Sequence, residues 1–276
     1  MNEISKRTIT GTIYIGIILA ATLIHPILCG IIFGIISIIG LNEFYCNADL
    51  TGIKTNKIFG LIFGLILFSS IFFIVHKLSV YIIFISLLFL FIILLTIVFA
   101  ELVKHTTTPF TNIAFTFLGI LYIVIPLSLT IFIIYPDSFQ PMNLLSLFIF
   151  AWCNDTFAYL TGCKWGKHRL CERISPKKSW EGFFGGMIAT QIAAFAIWFF
   201  SDGSFSIRHW VIIGLIMTIF GTLGDLVESM FKRQIGIKDS GKILPGHGGI
   251  LDRLDCMFIA VPVVFIFMLI EQILLK

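Results

Sequence analysis

SMFKRQIGIKDSGKILPGHGGILDRLD, running from Ser229 to Asp255, is a polar stretch set between two long apolar runs, and its reading decides what kind of fold the chain can take. Lys232, Arg233, Lys238 and Lys242 supply positive charge, Gly246, Gly248 and Gly249 supply bare backbone, and Asp252 and Asp255 supply carboxylates. Those are the parts of a site for a phosphate and a metal. Gly246 to Gly249 lies just before a new apolar helix, where unpaired N–H groups and the helix dipole favour an anion. Asp252 and Asp255, three apart, fall on one face of that helix's first turns. Hard oxygen ligands so placed suit a magnesium ion that also holds a nucleotide's phosphates.

Outside this stretch the chain is apolar. Its 276 residues are 58% hydrophobic and 12% charged, with a mean hydropathy of +1.03, and a soluble surface alone needs more charge than that. The expectation is an all-α polytopic integral membrane protein, one bundle forming a single domain over residues 1–276. A spanning helix needs about 20 largely apolar residues. Nine runs approach that length: Ile9 to Ile24, Ile27 to Tyr45, Ile58 to Val75, Val80 to Phe99, Phe110 to Tyr135, Met142 to Gly162, Gly182 to Phe200, Trp210 to Phe231 and Ile250 to Leu275. Only His25 and Pro26 separate the first two. Together those two are too long for one crossing, so a tight hairpin is expected there. The first run lacks a small-residue cleavage site and is expected to be retained. Nine crossings put 16 of the 19 Lys and Arg on one side, leaving Lys77, Arg208 and Lys276 opposite. By the positive-inside rule the N-terminus and the polar loops near 164–181 and 232–249 then face the cytoplasm. The six cysteines form no CxxC pair and read as small buried hydrophobes, not a zinc or disulfide framework. Gly30 with Gly34, Gly60 with Gly64, and Gly182 with Gly186 are spaced for close helix packing within the bundle, a homodimer seam being the less favoured use.

Charged residues within a membrane span are costly and usually functional. Asp225 and Glu228 sit three apart near the cytoplasmic end of the eighth run, Asp252 and Asp255 repeat that spacing at the start of the ninth, and Asp155, preceded by Asn154, lies roughly 13 Å below the charged loop after the sixth. Structural roles compete: Asp252 can cap its helix, and Glu228 can pair with Lys232 one turn on. The loop at Ser175, Pro176, Lys177, Lys178, Ser179 and Trp180 reads equally as a helix start with a topology signal or as a phosphate cradle. His247, between glycines, can be a base, a phosphate donor or a turn residue.

Ser229, Lys232, Arg233, Lys238, Asp239, Pro245, His247, Gly248, Gly249, Asp252, Arg253 and Asp255 stand at the spacing of a signature, and through them the chain resembles the phosphatidate cytidylyltransferase family, also called CDP-diacylglycerol synthases. The resemblance extends to Gly224, Asp225 and Glu228, to SPKKSWEG at Ser175 to Gly182, and to Asn154 with Asp155. The first 140 residues resemble the family in hydropathy alone. It implies that CTP and phosphatidate give CDP-diacylglycerol and pyrophosphate, a transfer that needs charge neutralisation and in-line positioning rather than a serine or cysteine nucleophile. On that resemblance Asp225, Asp252 and Asp255, with Glu228, would hold Mg2+ and could hold a second cation beside it; Lys232, Arg233, Lys238, Lys177 and Lys178 would neutralise the triphosphate and the lipid headgroup, with His247 among the catalytic residues. Ser175, Ser179, Asn154, Asp155, Ser229, Asp239, Gly248, Gly249 and Arg253 would complete the substrate site. The implied partners are CTP, phosphatidate and membrane lipid, with no nucleic acid, and the implied place is a bacterial inner membrane with the site facing the cytoplasm. A cation-coupled transporter is the main rival, but it would place its site near the midplane between repeated halves, and no repeat is evident. A phosphotransferase acting on a CDP-alcohol would show an Asp-Gly followed by Ala-Arg and two later aspartates, which is absent.

Overall fold

The structure is a computed structural model that describes residues 3–77, 80–135, 138–201, 205–241, 243 and 248–274, of residues 3–9 the backbone alone. Lys242, Pro245, Gly246, His247, Leu275 and Lys276 therefore lie outside the described residues, as do the side chains of Lys6 and Arg7. The helices are α1 (Glu3–Leu23), α2 (Pro26–Asp49), α3 (Lys57–Val75), α4 (Val80–Val103), α5 (Pro109–Gly119), α6 (Ile125–Ile134), α7 (Pro141–Trp165), α8 (Trp180–Phe200), α9 (Ile207–Ile235) and α10 (Leu251–Leu274). A π-turn at Ile120–Val124 joins α5 to α6, so Pro109–Ile134 is one continuous crossing. Among the described residues eight helices are long and apolar enough to span a membrane, and the apolar part of α1, Thr10–Leu23, is shorter. This is the expected helical membrane architecture. His25 ends the first run as read: its Nδ1 accepts the Ile27 N–H at 3.2 Å, capping α2 with Pro26 in its first turn.

The chain divides into two compact units, Met1–Phe139 with Ile235–Leu254, and Gln140–Gln234 with Asp255–Lys276. In the first, glycines on α2 and α3 admit neighbouring rings. A Cβ on Gly30 would meet Phe72 and one on Gly34 would meet Phe68, while Gly60 lies against Tyr45 and Gly64 against Leu41 and Val124. Tyr45, fully buried, donates to the Thr116 carbonyl at 2.7 Å. In the second, α8 packs along α7: Gly182 faces the Ala158 carbonyl and Gly186 faces Asn154. All three glycine pairs thus serve packing inside the chain.

Two local features depart from the sequence reading. The loop 164–181 contains an antiparallel hairpin, β1 (Arg169–Cys171) with β2 (Ser175–Ser179), pairing Arg169 with Ser179 and Cys171 with Ser175. The stretch expected to be loop from residue 232 is helical as far as Ile235. Lys232 and Arg233 complement the negative end of the α9 dipole, and the turn comes at Gly236, whose φ of 80° favours glycine. The six cysteines are all free, and Cys46 and Cys163 are exposed rather than buried.

Candidate functional site

In the second unit the hairpin is held by side chains at the start of α8. Ser179 Oγ accepts the Gly182 N–H at 3.1 Å and caps α8. Glu181, in the first turn, accepts the backbone N–H groups of Lys167 and His168 and pairs with His168 Nδ1 at 2.6 Å. Those contacts fix both ends of the loop, and so fix the cations between them. Beside the hairpin lies a cavity of about 560 Å³ whose wall includes Asp155, Asp225, Arg169, Lys177, Lys178 and Ser179. Acidic residues on α7 and α9 therefore face cationic residues on β1 and β2 across one space. Lys178 joins the two sides through an ion pair with Asp225, and Ser229 Oγ donates to the other Asp225 oxygen at 3.2 Å.

The acids extend along α9 and α10. Glu228 is 1% exposed and pairs with Lys232 at 2.5 Å, the helical i,i+4 contact expected of it. Asp255 lies within electrostatic reach of Asp225, Glu228 and Asp155. Gathering four carboxylates in one region costs free energy through mutual repulsion. A divalent cation placed there would relieve that cost. Among the described residues no three His, Cys, Asp or Glu side chains converge into a closed metal cage. Magnesium is commonly held by a smaller protein donor set, one or two carboxylates plus substrate phosphates and retained water. Asn154, on the cavity wall, carries a buried Oδ1 that makes no hydrogen bond among the described residues, a further hard oxygen. In charge and donor type these residues fit the ion.

In the first unit, Asp252 Oδ2 accepts the Ser240 N–H at 2.8 Å, the Gly249 N–H at 2.8 Å and the Ser240 hydroxyl at 2.9 Å. Ile250 N–H, the next amide at the α10 start, donates to Glu43 Oε2 at 2.8 Å. Two of the N–H groups expected to cradle a phosphate are thus taken by carboxylates of the chain itself. Gly248 adopts φ 82° and lies against Asp252. Lys238, Asp239 and Arg253 are exposed, as is Arg233 at the end of α9. Sequence reasoning passed over Arg169, on the cavity wall, and Glu43, 5% exposed. The available signal for Glu43 was an acid inside the second apolar run, where such residues are rare.

Comparison with known proteins gives a family model, described as the cytidylyltransferase family, that matches residues 5–271. The phosphatidate cytidylyltransferase of Staphylococcus aureus (strain COL) is 48% identical over 128 residues, 46% of this chain and 48% of that protein. That of Staphylococcus haemolyticus is 48% identical over 126 residues, with the same coverage. That of Staphylococcus epidermidis is 44% identical over 126 residues. The aligned chain spans about half the length of the curated relatives it matches.

Proposed function

The chain belongs to the cytidylyltransferase family, and on that premise we propose that it transfers the cytidylyl group of CTP to phosphatidate, forming CDP-diacylglycerol and pyrophosphate for phospholipid synthesis. The observation that carries this is the cavity in which Asp155 and Asp225 face Arg169, Lys177 and Lys178. A phosphate oxygen of phosphatidate attacks the α-phosphorus of CTP, the bond from that phosphorus to the bridging oxygen breaks, and pyrophosphate leaves. The attacking phosphate is already an anion, so no protein nucleophile is required. Arg169, Lys177 and Lys178 bind the phosphates and counter the charge that builds on the leaving group. Asp225 and Asp255, together with substrate phosphates, would hold a magnesium ion, which would supply Lewis-acid stabilisation of that charge. Glu228 orients Lys232 through their ion pair, and Asp252 shapes the turn before α10.

The test uses purified protein in detergent with phosphatidate and each nucleoside triphosphate. Product is expected with CTP, is lost in excess chelator and returns with magnesium. Undiminished transfer in chelator would overturn the metal assignment; transfer from another nucleotide but not from CTP would overturn the substrate.

The proposed site faces the cytoplasm of an inner membrane, in keeping with the 16 cationic residues assigned to that side. Cys163, exposed beside the hairpin, is expected to react with a membrane-impermeant maleimide in inside-out vesicles and not in intact cells, once the other cysteines are replaced. Labelling in intact cells would reverse the orientation.

A further inference from the structure

Ser240 is 3% exposed, yet each of its polar groups is held. Its N–H goes to Asp252 Oδ2 at 2.8 Å, its carbonyl accepts Asn47 Nδ2 at 2.7 Å, and its hydroxyl lies 2.8 Å from Glu43 Oε1 and 2.9 Å from Asp252 Oδ2. Glu43 and Asn47 are one turn apart on α2, so one helix face grips the residue from two directions. Glu43 also accepts the Ile250 N–H at 2.8 Å, just before α10. The backbone passes so close that a Cβ on Gly241 or Gly249 would lie 2.1 or 1.5 Å from Glu43 Oε1. Among the described residues no cation pairs with Glu43. A carboxylate buried in an apolar run costs free energy that a packing role would not require. Among the described residues its hydrogen bonds go to Ser240 and to Ile250 beside the start of α10.

We propose that Glu43, assisted by Asn47, is a positioning residue: by clamping Ser240 it fixes the exposed cation Lys238, two residues before it, for contact with an anionic substrate. This rests on the cytidylyltransferase reading for the substrate, but the clamp itself can be measured without it. The experiment compares the full-length protein with Glu43→Ala, Glu43→Gln and Ser240→Ala, following amide hydrogen exchange over residues 238–250, kcat/KM for CTP and thermal melting. Glu43→Ala is expected to speed exchange at Gly249 and Ile250 and to lower kcat/KM on the order of a hundredfold, the cost of an ångström-scale misplacement, with little change in melting. Gln keeps an acceptor for Ile250 N–H and a donor for Ser240 Oγ, so Glu43→Gln should recover most of both. Ser240→Ala removes one grip and should shift exchange and kcat/KM in the same direction. It decides the matter should Glu43→Ala fail to fold. Unchanged exchange in Ser240→Ala and Glu43→Ala would overturn the clamp, and so would activity that falls only in step with melting temperature. A parent protein that transfers nothing from CTP would count against the proposed function alone, with the exchange result still deciding the clamp.

Discussion

Replacing Asp255 with Asn is expected to cost cytidylyl transfer on the order of a hundredfold or more while leaving the helices folded. Asp255 sits within reach of the charges of Asp225, Glu228 and Asp155. Removing one negative charge from such a group relieves repulsion, so stability should hold or improve. Catalysis should respond in the opposite sense, because a neutral amide is a poor ligand for the ion that the group is proposed to hold. Asp225→Asn should behave similarly in activity, but it also dissolves the ion pair with Lys178 and should gain less in stability. The measurements are thermal melting and steady-state turnover across a magnesium titration. Near-normal turnover combined with a lower melting temperature would make these acids structural partners and remove the ion from them.

Gly224→Ala is expected to damage both folding and activity, for steric rather than electrostatic reasons. A Cβ there would lie 2.4 Å from the Asp255 carbonyl oxygen and 3.1 Å from the Cys256 Cα. Both obstacles are backbone, which cannot swing aside as a side-chain tip can. Overpacking of this kind typically costs about 1–3 kcal/mol. Because Gly224 adjoins Asp225 and presses on Asp255, the displacement is delivered to two of the proposed ion ligands. Gly221→Ala is the milder comparison, since its Cβ would meet the Cys256 Cβ at 3.3 Å. If Gly224→Ala melted and turned over like the parent, the close approach of α9 to α10 would carry no such weight.

The helices were legible because hydropathy along a membrane chain is a local signal that packing cannot reverse. The break at His25 and Pro26 was legible for the same reason, and the structure adds the capping bond that makes it. The hairpin was not. Arg169 to Ser179 contains Lys177 and Lys178 side by side and lacks the alternation that marks a strand, so its pairing depends on how α7 and α8 bring its ends together. Gly248 and Gly249 announced a tight backbone, but spacing cannot say whether the amides there await a substrate or are already bonded. Here the partners are Asp252, three residues on, and Glu43, whose bond to Ile250 spans 207 residues. Contacts across such a distance leave no local pattern. Asp225 and Glu228 were visible as acids at the end of a span; that Lys178 would reach the one and Lys232 the other was legible only for the i,i+4 pair.

The most direct test of the central claim follows the two ends of the triphosphate separately, incubating purified protein with phosphatidate and CTP labelled at either the α- or the γ-phosphate. The α-label is expected in the lipid product and the γ-label in pyrophosphate. Lipid carrying the γ-label, or no lipid label from either substrate, would contradict the account.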